Sequence, residues 1–230
     1  MKRSRILLLA PTLILAYLAM AALWAWVSFD AALASVPVPQ LAPLSQRQSA
    51  ILLRVEAPGF FGHYGLSIGT GQGLATISSA VARDVFLQRG QLDGVRGALQ
   101  SMYQRVFACC KRIDLGRDVM ALVIDARLTK HELLARYTAS VYMGTHQGRQ
   151  LRGLPQAAQA HLGKPLEAAT EHEFVTLVAM IKAPNQFHPV RDPAALAQRS
   201  RRIEALLSGA CKPDGWFDTD FDACDTTAPR

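Results

Sequence analysis

The sequence predicts an all-α domain behind one N-terminal transmembrane helix, and three observations carry that expectation. The 24 residues from Ile6 to Phe29 contain no charge, which is long enough to cross a bilayer as a helix. Beyond residue 44, apolar residues recur at helical spacing with little alternation of period two, the pattern of packed helices that each bury one face. Helix starts are marked by cap sequences: S-x-x-Q at Ser45, T-x-x-E at Thr129 and Thr170, and Asp-Pro at Asp192. In each, a side-chain oxygen can accept from an N–H that the helix itself leaves unpaired.

In chain order, residues 1–29 form a basic start (Lys2, Arg3, Arg5) and the anchor, with Trp24 and Trp26 at its far end as interfacial aromatics. The positive start is expected to stay in the cytoplasm, and everything after Asp30 to lie outside it. Pro11 is tolerable in a membrane helix. Ala32-Leu33-Ala34 resembles a signal-peptidase site, but so long an apolar run favours a retained anchor. Residues 30–44, with Pro37, Pro39 and Pro43, read as a short stiff linker.

The main domain is expected over 45–208. Helices are predicted at Ser45–Ala57, Leu74–Leu87, Val95–Phe107 and Arg117–Leu128. A further helix starts at Thr129, with Leu133, Tyr137, Val141 and Tyr142 inward, and is closed by Gly144. Another opens at Thr170 and stops at Pro184; the last runs from Asp192 to Gly209. The glycines at 69, 71 and 73 make either a plain loop or an anion-binding turn before the second of these helices.

Residues 209–230 form an acidic tail in which Cys211 and Cys224 could close a small loop outside the cytoplasm. Cys109-Cys110 lack C-x-x-C spacing, which argues against zinc there and leaves buried thiols or a second bridge. The net charge is +7, and setting aside Lys2, Arg3 and Arg5 leaves +4 for the remainder. That mild excess suits a surface near anionic lipid head groups. Basic residues are not interleaved with aromatics, so nucleic acid is not an expected partner.

The stretch EAPGFFGHYG, Glu56 to Gly65, holds the candidate catalytic carboxylate. Pro58 and Gly59 end the helix just after Glu56. A carboxylate at a helix C-terminus feels the negative end of the macrodipole, and burial by Phe60 and Phe61 would add a desolvation penalty. Both disfavour the charged form, which tunes a carboxylate toward general-base work. The alternative is an exposed carboxylate at a helix end.

EAPGFFGHYG is similar to the E-D-x-x-F-x-x-H-x-G motif of glycosyltransferase family 51, the peptidoglycan glycosyltransferase (transglycosylase) domain of penicillin-binding proteins and of monofunctional cell-wall polymerases. Glu56, Phe60, His63 and Gly65 match, and Ala57 stands for the family's Asp. GLATISSAVARDVFL, Gly73 to Leu87, resembles G-G-S-T-x-T-Q-Q-L-x-K-N through Gly73, Thr76 and Arg83, with Ser79, Ala80 and Asp84 departing from it. LTKHELLARYTASVYMG, Leu128 to Gly144, resembles S-K-x-E-I-L-E-x-Y-L-N-x-V-Y-x-G, with Ala139 for the asparagine. The segment Gly153 to Pro193 fits most closely, and the similarity spans about Ser45 to Leu207.

The resemblance implies a lysozyme-like helical fold with a membrane-embedded region, acting on lipid II, an undecaprenyl-diphosphate-linked sugar. It implies Glu56 as the base that deprotonates the acceptor hydroxyl, with Phe60, His63 and Thr76 shaping the substrate site. Arg83 is the first candidate for a diphosphate-binding cation, followed by Lys111, Arg112 and Arg117. Lys111 and Arg112 also read as a solvated basic pair.

No metal ligand is assigned; a divalent cation enters only through the resemblance. In place of the family's second Glu, gap-free counting puts Arg117 and a two-residue shift puts Leu115, neither of them acidic. Two functions follow: a polymerase of lipid II with Glu56 as base, or an impaired member that binds lipid II, glycan or cell-wall machinery. Penicillin-binding or divisome-type proteins are the implied partners. No S-x-x-K of a transpeptidase follows, so cross-linking is expected on another chain.

Overall fold

The computed structural model describes residues 2–38, 42–67, 71–72, 76–107 and 114–225. Lys111, Arg112 and the Cys109-Cys110 pair lie outside the described residues. The chain divides into two compact units: Met1–Pro37 with Tyr64–Leu66 and Ser78–Thr129, and Val38–His63 with Ser67–Ile77 and Lys130–Arg230.

In the first unit, helix α1 (Lys2–Ser35) changes character along its length. Leu13, Ile14, Leu15 and Met20 are each at least half exposed, whereas Ala21, Trp24, Ala25, Ser28, Phe29 and Ala32 are buried at spacings of three and four. By length and composition the helix can cross a membrane. Its second half is also core of this unit, packed against α5 (Leu115–Arg127), which buries Met120, Ala121 and Ile124.

Two expectations for α1 change here. Trp24 is buried rather than interfacial: its ring lies 5.6 Å from Phe86 and its indole N–H donates to the Arg96 carbonyl at 3.2 Å. Trp26 is half exposed, with the Arg127 guanidinium 4.9 Å over its ring. The helix also runs through Ser35, past the residue 30 where the linker was expected. Asp30 pairs with Arg127 at 3.1 Å, and the buried Ala32 and Val36 hold the extra turn down.

The helix expected over Leu74–Leu87 is seen as α3 (Ile77–Ala82), which widens into a π-helix at Arg83–Gln88. A π turn bonds i to i+5, and the Arg89 N–H meets the Asp84 carbonyl at 2.9 Å. That spacing also sets the Arg89 guanidinium on the buried Asp84 carboxylate, at 2.5 and 2.7 Å. Gln100, buried on α4 (Gly94–Phe107), donates to the carbonyls of Phe86 and Gly90. This satisfies acceptors around the end of the widened turn. Gly65 has φ +92°, and a Cβ there would lie 2.8 Å from the Ala121 carbonyl oxygen, so both conformation and space require glycine.

In the second unit, α8 (Glu171–Ile181) is the central element. Seven of its residues, Phe174, Val175 and Leu177 to Ile181, are buried, and it packs against α2 (Gln46–Glu56), α7 (Leu154–Leu162) and α9 (Pro193–Leu207). The starts follow local chemistry. Ser45 with Gln48, and Thr170 with Glu173, close reciprocal capping boxes. Asp192 accepts from the Ala195 N–H at 2.9 Å, with Pro193 in the first turn.

Helix α6 (Lys130–Ser140) is shorter than expected. Tyr142–His146 is strand β1, paired antiparallel with β2 (Arg149–Arg152) around Gln147 (φ 49°) and Gly148 (φ 77°). Two consecutive positive φ values give the turn a twist that matches a hairpin. Gly144 therefore lies in a strand instead of closing a helix; its φ is +89°, and a Cβ would lie 3.1 Å from Pro184. The acidic tail packs within this unit. Cys211 and Cys224 form a disulfide, and Asp225 pairs with Arg202 at 2.8 Å.

Candidate active site

Glu56 is the last helical residue of α2. Ala57 leaves helical geometry while its N–H still bonds the Leu53 carbonyl at 3.0 Å, and Pro58-Gly59 lead into a single 3-10 turn at Phe60–Gly62. The helix thus ends with the carboxylate pointing out of its last turn. Tyr137, on the buried face of α6, donates its hydroxyl to Glu56 Oε2 at 3.2 Å.

Glu56 keeps part of its surface open, but its carboxyl end is enclosed. Burial raises its pKa above the ordinary carboxylate value, opposed by the charge of Arg199, the Tyr137 hydroxyl and the charge of Lys182. Of the two phenylalanines expected to shield it, Phe60 is buried, whereas Phe61 is 63% exposed.

Lys130 holds the loop after Glu56 in place. Its ammonium donates to the His63 carbonyl at 2.7 Å and lies 4.9 Å over the Phe60 ring. The half-buried His63 ring meets Phe60 edge-on at 6.3 Å. A lysine from the LTKHELL stretch therefore pins EAPGFFGHYG from above, which spacing in the sequence does not reveal.

Among the described residues, the cations whose charge bears on Glu56 are Arg199 and Lys182. Arg199, on α9, is buried, with 3% of its side chain exposed. It donates to the carbonyls of Ala179 and Thr219 at 3.0 Å and lies 3.3 Å from Asp220. Lys182 follows α8 and pairs with the same Asp220 at 2.5 Å. One acid of the tail thus shares both cations with Glu56.

Thr76 is buried in the same unit as Glu56. Arg83 and Arg117 belong to the other unit. Arg83 is exposed at the start of the π-helix. Arg117 is mostly buried and holds Asp118 at 2.8 Å, while its backbone N–H bonds the capping Asp114 at 2.9 Å. At Arg117, where gap-free counting puts the family's second acid, the residues do not fit a metal, because the guanidinium already occupies the neighbouring Asp118 carboxylate.

One cluster was invisible in the sequence. His146, His161 and His188 bring one ring nitrogen each to within 4.8 Å of one another. Burial and its two histidine neighbours hold His161 down at about 4. A surface groove of about 380 Å³, lined by Arg47, Glu171, His172, Val175, Glu204 and Leu207, excludes Glu56 and so is not where the carboxylate works.

Residues 34–207 match the family model described as Transglycosylase. Penicillin-binding protein 1B of Escherichia coli K12 is 28% identical over 159 residues, covering 68% of this chain and 18% of that protein. Penicillin-binding protein 1B of Vibrio cholerae is 28% identical over 160 residues, 68% of this chain and 19% of its own length. Penicillin-binding protein 1A of Streptococcus oralis is 30% identical over 164 residues, 69% and 24%. The chain spans about a fifth of the length of these relatives. With the match reaching from the end of α1 to the end of α9, and with Glu56 at the end of its helix, the chain belongs to the glycosyltransferase 51 transglycosylase family.

Proposed function

We propose that this chain is a membrane-anchored peptidoglycan glycosyltransferase that polymerises lipid II into glycan strands with Glu56 as general base. The observation that carries the reading is the enclosed Glu56 carboxyl, pushed toward its neutral form by burial and oriented by the Tyr137 hydroxyl at 3.2 Å. A base with a raised pKa holds an abstracted proton better at neutral pH than an ordinary carboxylate does.

In the proposed step Glu56 takes the proton of an acceptor sugar hydroxyl, whose oxygen attacks C1 of the lipid-linked donor. The bond from C1 to the diphosphate oxygen breaks, and prenyl diphosphate leaves with the electron pair. Diphosphate is stable as an anion and needs no acid, only cations to meet its charge. Arg83, exposed at the start of the π-helix, is the proposed contact. Phe60, His63 and Thr76 are proposed to shape the sugar site. The exposed apolar residues of the first half of α1 support a single-pass anchor. The bonded Cys211 and Cys224 support an oxidising compartment, with the N-terminus in the cytoplasm.

A second reading is favoured by one observation. Asp84 and Asp118 are already engaged by Arg89 and Arg117 where the family's motifs carry an asparagine and, nearby, a second glutamate. A chain whose acids near these positions serve only to hold structure would bind lipid II or a glycan strand without joining them. Polymerisation of lipid II by the purified protein, beside Glu56→Gln, separates the two. Glycan made by the wild type and lost in Glu56→Gln supports the enzyme. Equal synthesis by both removes Glu56 as the base. Lipid II binding without synthesis, weakened by Arg83→Ala, supports the binding module.

A further inference from the structure

We propose that His146, His161 and His188 form a binding site for one divalent transition-metal ion of the zinc class, leaving a fourth position to water. The three residues come from separate places: His146 ends β1, His161 lies in the last turn of α7, and His188 follows α8. Their rings stand edge-on, with centroids 5.2 Å apart for His146 and His161 and 5.3 Å for His161 and His188.

The Nε2 atoms of His161 and His188 are buried and make no hydrogen bond among the described residues. A buried ring nitrogen without a partner is costly, and two in one cluster call for a shared ligand. Three histidines around zinc, with the last position open, are an established donor set for that ion, and imidazole suits it better than magnesium or calcium.

The spacing requires a modest closure. Ligand nitrogens within 4.8 Å must approach to about 3.3 Å for tetrahedral bonds of about 2.0–2.1 Å. His146 can supply most of that movement, since it adjoins the two-residue turn at Gln147-Gly148 and is only half buried. His188 must also release its present contacts, in which Nδ1 accepts from the N–H groups of Val190 and Arg191 at 3.1 and 3.3 Å. Val190 and Arg191 are exposed, so water can take their N–H groups when the ring turns. The ring then ligates through Nε2 with its proton carried on Nδ1 instead. The Arg191 charge, which bears on His188, is the one feature opposed to a cation. Once bound, an ion would tie the hairpin, α7 and the segment after α8 together.

The test uses the full-length chain in detergent, free of any histidine tag, dialysed against Zn²⁺ and analysed for metal, with Co²⁺ as the spectroscopic probe. The expected result is one ion per chain, tetrahedral Co²⁺ bands, and a melting temperature that rises with Zn²⁺ and falls back with a chelator. His161→Ala should weaken binding at least tenfold, and the milder His146→Gln should do the same if His161→Ala does not fold. Arg191→Gln should tighten it, and His172→Ala, on an exposed histidine, should leave it unchanged. No bound ion in the wild type, or binding that survives both cluster substitutions, overturns the proposal whatever the enzymatic result.

Discussion

Two acids of the first unit and Glu56 of the second are held in opposite ways. In the first, Asp84 is clamped by Arg89 at 2.5 and 2.7 Å and Asp118 by Arg117 at 2.8 Å, with both acids largely withdrawn from solvent. In the second, Glu56 is enclosed but, among the described residues, has a tyrosine hydroxyl and more distant cations rather than a close ion pair. A close ion pair takes up the lone pairs of the carboxylate, leaving an acid that holds structure together. Enclosure without a close cation leaves an acid whose proton affinity is raised and whose oxygens remain usable. The contrast explains why Glu56, of these three, is suited to chemistry.

Removing the usable acid has the largest expected effect. Glu56→Gln should lower the polymerisation rate by about 10²–10⁴, whereas Asp118→Asn, which removes an acid already committed to Arg117, should leave the rate nearly unchanged. Equal losses in both would erase the distinction.

Next comes the buried cation beside Glu56. Arg199→Met removes the donor to the Ala179 and Thr219 carbonyls and leaves Asp220 with Lys182 alone of its two cations. It should destabilise the chain by about 3 kcal/mol, a melting shift of about 6–12 °C for a domain of this size. The clamp in the first unit is partly open, with 32% of the Arg89 side chain exposed. Asp84→Asn should therefore cost less, about 2 kcal/mol.

The smallest effect sharpens the comparison through its sign. Burial raises the folded-state pKa of Glu56, so the folded chain holds that proton more tightly than the unfolded one. Its contribution to stability is full below the unfolded value and is lost as pH rises through the folded value. Glu56→Gln should melt above the wild type at neutral pH and close to it near the ordinary carboxylate pKa of 4.5. Glu173 has the opposite sign. Lys164 and Thr170 hold it down at about 2, so its contribution is present above 4.5 and fades as pH falls toward 2. Melting curves of wild type, Glu56→Gln and Glu173→Gln from pH 2 to 8 should show both slopes.

What could be read from the sequence was set within three or four residues. Ser45, Thr170 and Asp192 open helices because each side-chain oxygen reaches an N–H two or three residues ahead, and no distant partner is needed. Glu56 at a helix end followed by Pro58-Gly59 is equally local. The hairpin was missed because its turn is Gln147-Gly148, without the Asn-Gly signal, and because Tyr142 continues an apolar spacing that also suits a helix. The π-helix was missed because the bonds that accompany it, from Arg89 and from Gln100 on α4, come from beyond the segment itself.

By itself the sequence determined the helical class, the long apolar N-terminal helix, the main helix starts and the place of Glu56, since propensity, capping and periodicity act between near neighbours. The tertiary structure decided which groups surround that carboxylate. Tyr137 lies 81 residues from it in the chain, Arg199 comes from α9, and the three histidines are gathered from different elements. Charge and desolvation act through space, so the pKa of Glu56 and the clustering of the histidines come into being only when the chain is packed.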